Sequence, residues 1–453
     1  MDRTLAVESI KKIGQKVKLQ GWVDTRRDHG KLIFLDLRDR SGIIQVVCGQ
    51  EAKSLRPEFV VEIEGEVNKR PKNLVNPKIE TGEVEVKATK FTVLNESKTP
   101  PFPIDTDGYD IEEDLRLKYR YLDLRRKRLQ KNIKLRSKLV EIARQYLFEN
   151  DFVEIETPIL TKSTPEGSRD FIVPSRFQKG KFYALPQSPQ QYKQLLMIAG
   201  FEKYFQIARC LRDEDLRSDR AFEHTQIDLE MSFVKREDVM AMTEGLATQV
   251  FEKMGAKIFK KPFPVFTYEE AMKKFGSDKF DLRAEGEKKP NTFAFAWVVD
   301  FPFFVKDANS KWTYSHNPFS DLAPDDKEAF LRGQIEGIKT CQYDLVANGV
   351  EMGGGSIRSN DGQILTKVFE VLGHKRKDIE EKFGHMLEAF AYGAPPHGGI
   401  ACGIDRWLML LTGEKDIREV IPFPMTSTGR TAVMDAPSDV DKETLKELGI
   451  RQL

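Results

Sequence analysis

Five short runs near the amino terminus leave little room for anything but a small closed β structure. VKLQGWVD, KLIFLDLRD, GIIQVVCG, FVVEIEGEVN and GEVEVKATKFTVL follow one another between about residues 15 and 95, alternating apolar and polar side chains as half-buried strands do. The pieces between them, RDHG, DRSG and KNLVNPKIETG, are rich in turn formers. Five strands in so short a stretch point to a barrel of the OB type, which closes on itself and removes its edges. Such barrels bind single-stranded nucleic acid through aromatics on one face. Phe34 is the aromatic to follow, because alternation sets it with Leu32 and Asp36, opposite Ile33, Leu35 and Leu37. Sequence does not say which face meets solvent, and a core or edge position for Phe34 is the plain alternative.

At 453 residues the chain exceeds one ordinary core, so two or more domains are expected. Lys+Arg 72 against Asp+Glu 71 argues against a surface coated in basic charge and leaves a local basic face open. Cys48, Cys210, Cys341 and Cys402 are widely spaced without a CxxC, which disfavours disulfides and a zinc site. No apolar run approaches a membrane span, so the expectation is a cytoplasmic protein without membrane contact.

TPPFPIDTDGYDIEED reads as a linker. In the run RLKYRYLDLRRKRLQKNIKLRSK that follows, Arg116, Lys118, Arg120, Arg125, Arg126, Lys127, Arg128, Lys131, Lys134, Arg136 and Lys138 are opposed only by Asp123. A solvated helical face is the default for such a run; beside a nucleic-acid-binding barrel, a backbone contact is the sharper reading. From about 129 onward helical and strand patterns mix without regular βαβ alternation, and neither GxGxxG nor GxxxxGK[ST] occurs. An α+β domain built on a largely antiparallel sheet is expected, not a Rossmann or P-loop nucleotide fold. The boundaries expected are a barrel at 1–103, a hinge at 104–128 and a catalytic domain at 129–453.

KYFQIARCLRDEDLRSDRAFEHTQIDLE reads as two strands joined by a loop carrying Arg212, Asp213, Glu214, Asp215, Arg217, Asp219 and Arg220. Guanidinium forks suit phosphate oxygens, and neighbouring carboxylates can orient them or share a magnesium ion. Alone, the loop is better read as a turn of paired surface charges. Three further segments change that balance: YLFENDFVEIETPIL, a helix running into a strand; YDLVANGVEMGGGSIR, with Asp344 and Glu351 before three glycines and Arg358; and PPHGGIACGIDRWLMLLTG, a Gly-rich strand opening a helix at Asp405 and Arg406. Glycines let a backbone approach a ligand closely, and a cationic side chain at a helix start lies where phosphates bind.

In this order and spacing, these segments resemble the three signature motifs of class II aminoacyl-tRNA synthetases. KYRYLDLRR, STPEGSRDF, ALPQSPQQYKQLLM, WVVDFP, HNPF and NGVEMGGGSIR extend the resemblance to the aspartyl enzymes of bacterial type, over nearly the whole chain. The resemblance implies ATP-dependent activation of L-aspartate to aspartyl-adenylate and transfer to the 3′ end of tRNA(Asp), with Mg2+ and a homodimer in which Pro158 packs across the two-fold. Arg212, Arg406 and Glu351 would carry the catalysis. Asp213, Glu214, Arg217, Gly403, Ile404, Asp405 and Arg406 would join them around ATP, and Asp344 and Glu351 would hold the metal. Aspartate would lie among Glu166, on a mobile STPEGSRD loop, Ser188, Gln190, Lys193, Arg212, Asp228, His316 and Arg358. Asparagine would be rejected because its amide leaves Lys193 and Arg358 uncompensated. In the barrel, Phe34 would stack on the central anticodon base, Gln45 and Glu83 would read bases by hydrogen bonds, and Arg26 would contact the first.

The chain also departs from the pattern. The interval that usually carries an inserted domain is short here and ends in GSDKFDLRAEGEKKPN, where no site residue matched to the family falls. RAFEH stands where RQPEF is usual, putting Ala221 in place of a nucleotide-contacting Gln, with main chain or His224 as substitutes. His29 in RRDHGKL resembles relatives that charge tRNA(Asn) as well as tRNA(Asp). The rival readings are an amidating paralogue of the synthetases and a nucleic-acid-binding protein without catalysis.

Overall fold

A computed structural model describes residues 1–163 and 166–451; residues 164 and 165, in the STPEGSRD segment, and 452 and 453 lie outside the described residues. Internal contacts divide the chain into two units, Met1–Thr106 and Asp107–Leu453.

The first unit is a closed five-stranded barrel of Lys16–Asp28, Ile33–Arg38, Ile43–Cys48, Val60–Lys69 and Val84–Asn95. The third and fifth strands pair in parallel and the remaining pairs are antiparallel. Because side chains alternate across a strand, Leu19, Val23, Leu35, Val46, Ile63 and Val86 fill the interior. Ile33, Leu35 and Leu37 point inward, and Phe34, half-buried, lies on the outer face. The solvent question left open for Phe34 is thereby answered.

The second unit is built on an eight-stranded sheet in the order Val265–Thr267, Phe295–Val299, Gln342–Ala347, Val350–Ile357, His397–Gly403, Glu223–Ser232, Lys203–Leu211 and Val153–Glu154. Pairing is antiparallel throughout the middle and parallel at the two outermost steps. One face carries Ile227, Leu229, Phe205, Trp297, Tyr343 and Ile400 into a core with the helices Lys127–Glu149, Arg236–Lys253 and Ile404–Thr412. Phe251 is at its centre, edge-on to Phe293, Phe295 and Trp407. The intervening positions, among them Gln206, Gln226, Asp228, Glu230 and Asp344, face the other way. That polar face is where chemistry is possible.

From Asp107 onward the stretch expected as a hinge belongs to the second unit, and much of its basic run is not solvated. Arg116, Arg120 and Arg126 are buried. Arg120 and Arg126 donate to Asp123 at 2.8 and 2.6 Å, while Arg116 and Arg128 donate to Glu419, each at 2.9 Å. Arg128 also reaches Glu414 at 2.7 Å. Arg116, Arg128 and Arg120, the last through the carbonyls of Arg418, Ile421 and Pro422, clasp 113–128 to 414–422, so the backbone-contact reading is corrected for them and for the buried Arg126; Lys118, Lys127, Lys131, Lys134 and Lys138 are the exposed lysines of the run.

Candidate active site

The strand Glu223–Ser232, the residue after the strand Val350–Ile357 two places away in the sheet, and one helix build a buried charged pocket. Lys193, on the helix Gln190–Ile198, donates to Asp228 Oδ1 at 2.6 Å and lies 3.2 Å from Glu230 Oε2. Arg358 grips the same Glu230 from the far side, Nε to Oε1 at 2.9 Å and Nη2 to Oε2 at 3.1 Å. All four side chains are 3% exposed or less. Burial alone would raise Glu230, but Arg358 and Lys193 outweigh it and bring the carboxyl down to about 2. Asp228 goes the other way: burial raises it despite Lys193. Its Oδ2 is buried without a hydrogen bond, the nearby Tyr204 hydroxyl donating to Gln206 instead. A buried acceptor left over in this way suits an ammonium ligand.

Glu230 was missed by sequence reasoning, although it lies two residues beyond Asp228 on the same face of the strand. It also corrects the expected basis of asparagine rejection. Lys193 and Arg358 are already compensated by Asp228 and Glu230, because two unpaired cations in so dry a site would cost several kcal/mol each. The glycines around them serve this packing: a Cβ at Gly399 would fall 2.1 Å from Glu230 Oε2, and one at Gly354 would fall 2.9 Å from Asp344 Oδ1. Their room is taken by buried carboxylates of the protein.

Next to this pocket is a cavity lined by Arg212, Glu214, Ala221, His224, Glu351, Gly403, Asp405 and Arg406. Arg212 is tied back by Nε to Gln187 O at 3.2 Å, and Glu214 accepts from Arg220 at 3.2 Å. Asp213 pairs with Arg169 at 3.3 Å. Asp405 accepts from Arg136 at 2.5 Å and from the Thr225 amide at 3.1 Å, which locks the start of the helix carrying Arg406. Arg406 lies 3.3 Å from Asp219 and 3.5 Å from Glu351. Ile404, expected beside the nucleotide, sends its side chain into the core, and Arg217 is exposed. Burial, then Arg212 and Arg406, hold His224 well below its ordinary value, so the ring is neutral.

Glu166 accepts from Ser188 Oγ at 2.8 Å and lines a neighbouring hollow with Gln187, Ser188 and Tyr192. Gln190 bonds Gln194 at 3.0 Å.

Of the expected metal ligands, Asp344 converges with His316 and Asp278, one donor atom from each lying within 4.8 Å of the others. Glu351 is outside that group. Its carboxylate is taken by Lys279 at 2.8 Å and by Arg406; burial would raise it, but these cations bring it to about 2. The Asp344 and Asp278 carboxylates are oxygen donors that magnesium accepts, whereas the His316 ring is committed to Asp344, Nε2 lying 3.3 Å from Oδ2. Burial would lower the imidazole, but Asp344 raises it above its ordinary value, so the carboxylates fit the metal and the ring does not. Asp278 and Lys279 come from the segment in which no site residue was expected.

On the barrel, His29 meets Phe34 edge-on at 5.2 Å. Arg27 donates to Asp36 at 2.8 Å and to Gln45 at 3.2 Å, and Gln45 donates to Glu85 at 2.8 Å. Phe34 therefore stands beside a polar row of Arg27, Asp36, Gln45 and Glu85, in which alternation places Asp36 on its face and Gln45 is the residue expected to read a base. Glu83 is exposed two positions before Glu85, and Arg26 reaches Lys53 O at 3.4 Å.

Residues 112–427 match the family described as tRNA synthetases class II (D, K and N). The chain belongs to that family. Residues 17–94 match the OB-fold nucleic acid binding domain. The synthetase chain is 40% identical to an aspartate–tRNA(Asp/Asn) ligase of Natranaerobius thermophilus, covering 97% of each, and 39% identical to an aspartate–tRNA ligase of Staphylococcus aureus, again covering 97% of each. The first alignment runs over 570 positions against a chain of 453 residues, so that relative carries internal residues this synthetase lacks. Among solved structures it resembles asparaginyl-tRNA synthetase from Pyrococcus horikoshii complexed with asparaginyl-adenylate, with TM-score 0.75, 25% identity and coverage of 94% of this chain and 98% of that one.

Proposed function

We infer that the chain is an aspartate–tRNA ligase, and the observation that carries the reading is the Lys193–Asp228–Glu230–Arg358 pocket opening beside a cavity walled by Arg212 and Arg406. Aspartate's ammonium meets the unpaired Oδ2 of Asp228. Its side-chain carboxylate meets the N–H donors that Lys193 and Arg358 have left. A carboxylate only accepts, whereas an amide would turn its own N–H groups toward those donors, which is the basis of selectivity in a charge-balanced pocket. Arg212 spans the α-phosphate and the reacting carboxylate, and Arg406 holds the far end of ATP. The carboxylate oxygen attacks the α-phosphorus in line and pyrophosphate departs; the protein contributes orientation and charge stabilisation, with no covalent enzyme intermediate. Neutral His224 offers the nucleotide a hydrogen-bonding ring where Ala221 offers none. Magnesium, when bound, neutralises phosphate charge, and Asp344 and Glu351 are the carboxylates that would hold it.

The barrel takes the anticodon of tRNA(Asp), with Phe34 as stacking platform and Gln45, Glu83 and Arg26 around it. His29 against Phe34 favours charging of tRNA(Asn) as well. A second copy of the chain covers Phe148, Val153, Pro158, Ile159 and Leu160, all exposed at the end of the long helix, on the outer strand and in the segment that follows it. Aspartate-dependent ATP–pyrophosphate exchange tests the reading. Exchange followed by charging of tRNA(Asp) is expected; no exchange sinks it, and exchange without charging turns it toward an amidating paralogue. Charging of tRNA(Asn) transcript within a thousandfold of tRNA(Asp), about 4 kcal/mol, is the expected sign of dual specificity.

A further inference from the structure

We propose that Lys279 is a phosphate-binding residue of the activation step: paired with Glu351 in this structure, its ammonium is placed to take the β- and γ-phosphates of ATP and to hold pyrophosphate as it leaves. Lys279 Nζ is 2.8 Å from Glu351 Oε2, and Arg406 Nη1 approaches the same oxygen at 3.5 Å. Two cations therefore meet at one carboxylate on the wall of the nucleotide cavity. Lys193, a cation committed to the pocket interior, is 2% exposed, whereas the Lys279 side chain is 42% exposed. Its ammonium can change partners without crossing a packed core.

The backbone beneath it is fixed. Gly276, in the left-handed region at φ 72°, ends the helix Tyr268–Phe275. Ser277 Oγ accepts from the Lys279 amide at 3.0 Å. Phe280 is buried and stacks on Phe275 with ring centres 4.0 Å apart. The Phe280 carbonyl accepts from the Gly349 amide at 3.0 Å, in the turn leading into the strand that bears Glu351. One short brace thus sets both Lys279 and Glu351.

Polyphosphate carries more charge than Arg406 alone matches, and cationic donors on it make strong hydrogen bonds. A divalent cation held at the Glu351 carboxylate would supply that carboxylate's counter-charge and leave the Lys279 ammonium to phosphate oxygens. In the reaction, the bond from the aspartate carboxylate oxygen to the α-phosphorus forms as the bond from that phosphorus to the bridging oxygen breaks. The electron pair goes to the β-phosphate, and the Lys279 N–H groups meet charge that grows there. No proton need move.

The proposal rests on the ligase reading, which exchange by the wild-type chain tests by itself. The variants are K279M and K279R, and the probe is pyrophosphate, titrated calorimetrically with magnesium present and used as substrate in pyrophosphorolysis of aspartyl-adenylate. Loss of one charged hydrogen-bond donor predicts that K279M weakens pyrophosphate binding and raises its KM about tenfold or more. Aspartate KM and Tm should hold, and K279R should recover most of the loss. Unchanged pyrophosphate affinity in K279M, with an active wild type, overturns the proposal and leaves the ligase reading standing. Equal losses toward aspartate and pyrophosphate also overturn it, because they mark Lys279 as a structural partner of Glu351 alone.

Discussion

Arg358 has five N–H donors, and four are committed: two to Glu230, one to Ser356 Oγ at 2.9 Å and one to Gly399 O at 3.2 Å. Glu230 thereby sets which edge of the guanidinium is left for a substrate. In the Glu230→Gln variant one of the two acceptors becomes an N–H2 group pointing at Arg358 and Lys193, and the guanidinium is free to turn. Aspartate KM is expected to rise about tenfold or more, the value of a charged hydrogen bond, with ATP KM little altered. Steady-state exchange kinetics decide it; equal rises in both KM values, or none, would contradict this role. Glu230 was legible in principle, since a period of two puts it beside Asp228. Lys279 was not, because no local pattern tells a loop at 276–291 that it will face a strand starting at Val350.

Among elements, the barrel strands and the alternating central strands were readable because alternation is a local signal fixed by backbone geometry. The basic run misled for the complementary reason: its carboxylate partners, Glu414 and Glu419, lie almost three hundred residues away. Their effect can be measured through pH. Burial would raise Glu419, but hydrogen bonding to Arg116, with Arg128 and Arg120 nearby, more than reverses this and lowers it below its ordinary 4.5. A carboxyl depressed in the folded state binds its proton more readily once unfolded. Its contribution is therefore present above the ordinary value and is lost as pH falls from there through the lowered one. Urea melts from pH 7 to pH 3 should show Glu419→Gln less stable at pH 7, by about 3 kcal/mol for a broken buried pair. The variant should also lose less stability than wild type on acidification; parallel curves for the two proteins would refute the clasp as the source.

For the whole molecule, the second unit contains every residue assigned to adenylate formation, and the barrel contains those assigned to the anticodon. The second unit carries an apolar strip at its outer strand and in the segment after it, where Phe148 is 53%, Val153 44%, Ile159 45% and Leu160 51% exposed. That strand, Val153–Glu154, is paired on one side with Lys203–Leu211 and ends the sheet on the other. An apolar strip along an unprotected sheet edge invites pairing. Burying the half of each such side chain that is still exposed stabilises by roughly 1 kcal/mol, so four of them, contributed twice by a symmetric contact, supply roughly 8 kcal/mol toward offsetting the entropy of association. Sedimentation velocity at micromolar concentration should find the wild type at twice the 52.0 kDa of one chain. The double variant Phe148→Glu, Leu160→Glu places two charges per chain in the strip and should sediment at the mass of one. A wild type that sediments as a single chain, or a double variant that remains paired, would rule out this strip as the contact between copies.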